Sequence, residues 1–192
     1  MSDFDFNNAQ AGGGAYDIIP NGTVARMIMT IRPGGAGDGG WLKASKGGDA
    51  FMLDCEFAVL EGPFRNRKFW GNMVVSGGKV DESGNSIAGN ITRAGLRAIL
   101  ENARGIAAND ESDEAKKKRI VSGYADFNGL EFVGKIGIEK GNGNYADRNT
   151  LIGAMPADAR TSTAAPASSA AKFNAPAPAP ARSSDSVPAW AQ

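Results

Sequence analysis

Ten side chains in this sequence combine positive charge with flat aromatic rings, a mixture that could contact nucleic acid. They are Trp41, Lys43, Lys46, Arg65, Arg67, Lys68, Trp70, Lys135, Tyr145 and Arg148. Cationic side chains can follow the phosphates of a single strand, while aromatic rings stack under its bases and tolerate any sequence. The set therefore predicts a nucleic-acid-binding surface in which Trp41, Trp70 and Tyr145 stack bases and the cationic residues contact phosphates.

The orientation of the two tryptophans decides whether they can take part. Successive side chains of a strand point to opposite faces, so if Phe69 points inward, Lys68 and Trp70 share the outer face as a stacking platform with a phosphate clamp. In the alternative, Trp70 lies in the core and Phe69 on the surface. Trp41 follows two glycines in a polar loop, which predicts an exposed ring or, alternatively, a cap on the end of the β-barrel that the order of strands predicts below.

The composition narrows the classes of function. The chain of 192 residues has 21 Lys plus Arg against 21 Asp plus Glu, and it contains no His. Balanced charge gives no global positive field, so any site for a polyanion must be a local patch. Without His, the chain lacks the commonest general base and a common metal ligand. We therefore expect a protein that is not an enzyme and needs no metal or cofactor.

One alternating run contains residues that could support other chemistry. Asp54 and Glu56 share one face of a predicted strand, but two acids without a third ligand make a weak metal site. Solvation, or pairing with Arg65 or Arg67, is the prediction for these acids. Cys55 lies between them and is predicted to be a small buried hydrophobe rather than a nucleophile. As the single cysteine, it cannot form a disulfide within the chain.

A mainly β domain must position these residues. Alternating and β-branched runs predict strands over 23–32, 51–60, 68–75, 130–140 and 148–154. Helical spacing predicts one helix over 90–103, between the third and fourth strands and capped by Asn90 or Thr92, and the charged segment 109–119 predicts a short solvated helix. This order is that of a five-stranded OB-like barrel, which binds ligands on its second and third strands beside two loops.

Changes in composition divide the chain into three parts. Residues 1–15 form a predicted flexible N-terminal arm, 16–155 the OB-like domain, and 156–192 a disordered tail rich in Ala, Pro and Ser. Such a tail cannot bury enough apolar surface to offset the entropy of ordering it. Its tip carries Pro188 and Trp190, which predicts a tethered anchor for a partner protein, with a frayed terminus as the alternative. No signal peptide or membrane-spanning run is recognised.

Several motifs of the domain resemble those of a known group of proteins. They are GGWLK at 39–43, the run 51–67, FW at 69–70, a following helix, and GNGNYADRN at 141–149. Over residues 16–155 they resemble small phage and prophage proteins proposed to bind single-stranded DNA in replication and recombination modules. The tail resembles those of bacterial single-strand-binding proteins in its prolines and terminal aromatic, although Asp185 is the only acid near its tip.

This resemblance implies a sequence-independent single-stranded DNA-binding protein in the cytoplasm of a bacterial host cell. It would coat single strands and hand them to a recombinase, polymerase or helicase through the tail. Exposed strand edges would permit a homo-oligomer. The alternative is a phage protein–protein interaction module, structural or host-inhibitory, that does not bind DNA, and the absence of excess positive charge favours it.

Overall fold

The computed structural model describes residues 17–143 and 145–157. The N-terminal arm, Tyr16, Asn144 and residues 158–192 of the tail, with Pro188 and Trp190, lie outside the described residues. The strands are β1 (Val24–Arg32), β2 (Lys43–Ala44), β3 (Ala50–Val59), β4 (Lys68–Gly77), β5 (Glu131–Glu139) and β6 (Arg148–Ala154), and the helices are α1 (Ile87–Arg104) and α2 (Asp113–Lys118).

The described residues form six strands in one open antiparallel sheet, so the prediction of a closed five-stranded barrel is wrong. The order is β4–β3–β1–β5–β6, and β2 pairs with the first residues of β3. The edge strands β4 and β6 approach each other with Cα atoms within 8 Å, but no ladder joins them in the described residues. The segment before β1 occupies part of the space between these edges, because Ile19 bonds to Asn149 of β6 and Asp17 to Arg67 before β4.

Alternation along the strands buries one face of the sheet. β1 contributes Met27 and Met29 to the core, and β3 contributes Leu53 and Phe57. The ring of Phe57 stacks on Phe69 of β4 with centroids 5.2 Å apart, and it meets Phe132 of β5 edge-on at 6.3 Å. The core therefore joins β1, β3, β4 and β5, and the mainly β class predicted from the sequence is confirmed.

Helix α1 covers this core between β4 and β5. Leu96, Ile99 and Leu100 recur at helical spacing and are all buried. The side chain of Ser86 accepts a hydrogen bond from Gly89 N and caps the helix, so the predicted caps Asn90 and Thr92 are wrong. At the other end, Gly105 adopts φ 65°, a left-handed conformation that ends helices at glycine.

Asn102 joins the end of α1 to the sheet. Its side chain is fully buried, where Oδ1 accepts from Val133 N at 2.9 Å and Nδ2 donates to Met155 O at 2.8 Å. The amide thus satisfies backbone groups of β5 and of the residues after β6, which fixes the helix over the core. Within the described part of the chain, no helix is both long enough and apolar enough to cross a membrane.

Candidate nucleic-acid interface

The outer face of β3 and β4 carries the aromatic side chain that the alternation placed there. Phe69 is 4% exposed and belongs to the core, whereas Trp70 is 48% exposed. The predicted inward Phe69 and outward Lys68 and Trp70 are therefore confirmed. Trp70 lies directly opposite Glu56 of β3, and Lys68 lies opposite Ala58. The outward face thus offers one indole between charged neighbours.

An open groove of about 650 Å³ begins beside this indole, between the starts of β4 and β6. It brings together five of the ten candidate residues: Arg65, Arg67, Lys68, Trp70 and Arg148. The turn between β3 and β4 supplies the first two, the start of β4 the next two, and the start of β6 the last. Four cationic side chains and an exposed aromatic ring line one concave surface.

Glu56 connects two of these side chains. Its Oε1 lies 2.8 Å from Lys68 Nζ, and its Oε2 accepts a 2.9 Å hydrogen bond from Trp70 Nε1. The hydrogen bond from Lys68 lowers the pKa of Glu56, which outweighs the opposing effect of partial burial. An ionised carboxylate therefore holds the Nε1 edge of the indole and neutralises one cation of the groove.

Asp54 lies two residues before Glu56 on the same face of β3, and it also pairs with cationic side chains. Its carboxylate contacts Arg32 at 2.6 Å and Lys43 at 3.3 Å. Partial burial acts to raise the pKa of Asp54, but the hydrogen bonds from Arg32 and Lys43 outweigh it and the pKa falls below its ordinary value. The pairing of these acids with Arg65 or Arg67 predicted from the sequence is wrong, because cross-strand neighbours reach them first.

The turn before β6 borders the groove. Arg148 pairs with Glu139, its direct neighbour on β5, through Nη2 at 2.9 Å. Asp147 accepts hydrogen bonds from Lys140 at 2.7 Å and from Gly141 N at 3.0 Å, and these lower the pKa of its carboxyl. Tyr145 projects from this turn with 81% of its surface exposed. The turn therefore presents a free aromatic ring three residues before a groove cation.

Ile18 and Asn149 also line the groove, although the sequence did not single them out. Asn149 accepts from Ile19 N at 2.9 Å and donates to Ile19 O at 2.8 Å, so its amide pairs with the backbone as a strand neighbour would. Arg67 donates to the carbonyl of Asp17. Together these contacts hold the segment before β1 as one wall of the groove. No pattern of spacing signals such an amide, because its partner lies 130 residues away.

The other candidate residues do not line the groove. Lys43 pairs with Met52 at the first residues of β3, and Lys46 follows in the next turn. Because strands rise about 3.4 Å per residue, the backbone of Lys43 lies roughly 20 Å along β3 from the level of Lys68, and Lys46 lies farther away still. Trp41 is half-buried and packs against the core cluster, as a cap on the end of the sheet would. Lys135 is exposed on β5, opposite Val24 and Gly153.

Neither a cluster of metal ligands nor a reactive thiol is found among the described residues. No cluster of three or more Cys, Asp or Glu side chains there could hold a metal ion. Cys55 is fully buried, and burial raises the pKa of its thiol to about 12. Its side chain therefore contributes to packing, as the alternation predicts.

No protein-family model matches this chain, and a search among curated proteins gives no match. The resemblance to phage single-stranded DNA-binding proteins stays a prediction that rests on the quoted motifs.

Proposed function

We propose that this protein binds single-stranded DNA without requiring a particular sequence, through the groove between β4 and β6 and the adjoining face of β3 and β4. The observation that carries the proposal is the convergence of four cations and the exposed Trp70 on one open concave surface. Duplex DNA buries its bases in stacked pairs, whereas a single strand offers them to an exposed ring. The combination therefore fits a single strand.

The connectivity of the sheet supports the proposal. β1 pairs with β3 and β5, β3 with β4, and β5 with β6, which is the neighbour order of an OB fold apart from the unjoined β4 and β6 edges. OB folds bind oligonucleotides on the strands that correspond here to β3 and β4, beside the loops before β3 and before β6. The groove and Trp70 lie on that side of the sheet.

Four of the groove residues have a part in the proposed complex. Arg65 is exposed on the turn between β3 and β4, and no ion pair between described residues includes it, so it is available to a phosphate. Lys68 already pairs with Glu56 and Arg148 with Glu139. Each cation must therefore contact a phosphate in addition to its carboxylate or in place of it. Trp70 stacks a base. Roles for Trp41, Lys43, Lys46, Arg67, Lys135 and Tyr145 stay predictions.

Titration of intrinsic tryptophan fluorescence with oligo-dT of about 30 bases tests the proposal. We expect saturable quenching that weakens as salt rises, since phosphate contacts release counterions, and little response to a duplex of equal length. Quenching without salt dependence, or an equal response to the duplex, would contradict single-strand binding through this groove.

A protein–protein interaction module is the second candidate, because a groove of about 440 Å³ with apolar side chains lies between α1, the end of β4 and the segment that follows α2. Leu96, Leu100, Val121 and Phe127 line it, together with the cationic side chains of Arg93, Arg97 and Arg119. If the protein has this alternative function, we expect oligo-dT to cause no quenching in the fluorescence titration. The proposal of single-strand binding also includes a partner (a recombinase, polymerase or helicase), a phage origin and a cytoplasmic location.

A further inference from the structure

We propose that Glu56 determines base preference at this site, favouring a base with an exocyclic amino group on Trp70; the inference rests on the proposed single-strand binding. The two side chains are direct neighbours across the β3–β4 ladder. Glu56 Oε2 lies 2.9 Å from Trp70 Nε1, so the carboxylate stands at the Nε1 edge of the ring. A base stacked on the exposed indole face brings its own polar edge over that carboxylate.

Glu56 keeps the capacity to accept another hydrogen bond. An ionised carboxylate offers about four lone-pair positions and no donor. Within the described residues, Lys68 uses one position on Oε1 and Trp70 uses one on Oε2. The side chain is 21% exposed, so part of it faces the solvent that a bound strand would replace.

The bases differ at the group that would meet this acceptor. Cytosine and adenine carry amino donors, N4 and N6, where thymine and uracil carry the carbonyl O4. A carboxylate accepts from an amino group, whereas it repels a carbonyl oxygen. Cytosine and uracil are the sharpest comparison, because both are small pyrimidines that differ at this position and at N3. Uracil has a donor at N3, but this donor lies between O2 and O4, so a carboxylate that accepts from it also meets two carbonyl oxygens. The geometry therefore favours oligo-dC over oligo-dU.

The decisive measurement is the ratio of affinities for fluorescein-labelled oligo-dC and oligo-dU of equal length, by anisotropy at neutral pH. For the full chain we expect dC to bind about three- to tenfold more tightly, the effect of one net hydrogen bond. Glu56→Gln should bring the ratio close to one or invert it, because an amide can donate to O4 as well as accept. Glu114→Gln is the matched control, since it removes one negative charge from an ion pair on α2 and should leave the ratio unchanged.

Trp70→Phe provides a second variant that does not change the charge. It keeps a stacking ring but removes the Nε1 donor that holds the carboxylate, so the dC to dU ratio should fall while both oligonucleotides still bind. Equal affinity of the unmodified protein for dC and dU, or an unchanged ratio in Glu56→Gln, overturns the role of Glu56 and leaves single-strand binding intact. Absence of binding to either oligonucleotide overturns the proposed function itself, and the base preference with it.

Discussion

Trp70 donates the hydrogen of Nε1 to Glu56 Oε2 over 2.9 Å, across the ladder between β3 and β4. This bond fixes the edge of a ring whose surface is still 48% exposed. A stacking platform that is already oriented loses less side-chain entropy on binding than a free one. The relationship makes Trp70 the first residue to change.

Trp70→Ala should weaken binding to oligo-dT by about five- to 150-fold, because stacking contributes about 1–3 kcal/mol per base. Phe69 remains in the core, so the variant should keep its thermal stability. Anisotropy of labelled oligo-dT measures the affinity directly. In the comparison variant Trp41→Ala, we expect a lower melting temperature and a smaller change in affinity, because Trp41 packs against the core. Equal losses of affinity in the two variants would contradict the assignment of base stacking to Trp70 and of packing to Trp41.

Arg65→Ala should reduce the salt dependence of binding as well as its strength. Each phosphate contact to a single strand contributes about 0.7 to the slope of log K against log salt concentration. Loss of one contact should therefore make the slope shallower by about that amount. Lys117→Ala removes the same charge from the exposed surface of α2 and should leave the slope unchanged. Parallel lines for Arg65→Ala and the unmodified protein would exclude Arg65 from phosphate contact.

Stability should fall as the solution is acidified, with Asp54 contributing to the loss. The hydrogen bonds from Arg32 and Lys43 hold its pKa below the ordinary value of 3.8, despite the opposing effect of burial. A group whose pKa is lower in the folded state stabilises the fold above its unfolded pKa, and that contribution disappears as pH falls through the folded value. Urea midpoints measured from about pH 6 to pH 3 should decline less steeply for Asp54→Asn.

The comparison for this pH series is Asp38→Asn, which removes the same charge from the exposed loop before β2. Its urea midpoints should follow those of the unmodified protein. If Asp54→Asn and Asp38→Asn gave the same curve, the ion pairs of Asp54 would have no part in the acid dependence.

Asn102→Ala should destabilise the fold while leaving the groove residues in place. The substitution strips partners from the backbone of Val133 and Met155, and a buried group left without a partner costs about 1–3 kcal/mol. Urea denaturation gives the free energy of unfolding. Asn109→Ala, in the exposed segment before α2, is the control and should change it little. A fully stable Asn102→Ala variant would show that the amide does not secure α1.

Cys55 should resist thiol reagents until the protein unfolds. Burial raises the pKa of the thiol to about 12, so almost no reactive thiolate exists near neutral pH. Reaction with a chromogenic disulfide should be slow in buffer and fast in urea. Rapid labelling of the native protein would mean that β3 opens to solvent far more readily than its buried position indicates.

The sequence predicted the elements well where a pattern extends over many residues. The alternation of 51–60 matches β3, and the prediction for 148–154 coincides with β6. α1 begins three residues before the predicted helix, because Ser86 caps it in a stretch that reads as loop. β2 is two residues long, too short for alternation to reveal.

The pattern of residue types along the chain could not predict the open sheet or the ion pairs. Alternation specifies which face of a strand is buried but not whether β4 and β6 form a ladder. The partners of Asp54 and Glu56 depend on cross-strand register, which places Glu56 opposite Trp70 and Thr30 and brings Lys43 beside β3. The groove follows from the same long-range pairing, so half of the candidate residues converge there while the rest lie elsewhere.

The two hydrogen bonds between Asn149 and the backbone of Ile19 hold the start of the described chain at the wall of the groove. A fusion partner or affinity tag that replaces residues 1–16 starts next to Asp17 at the wall of the groove, where its bulk would compete with a ligand. The chain after β6 departs instead beside Asn102, at the far end of α1. Immobilisation through that side leaves the groove facing the solution.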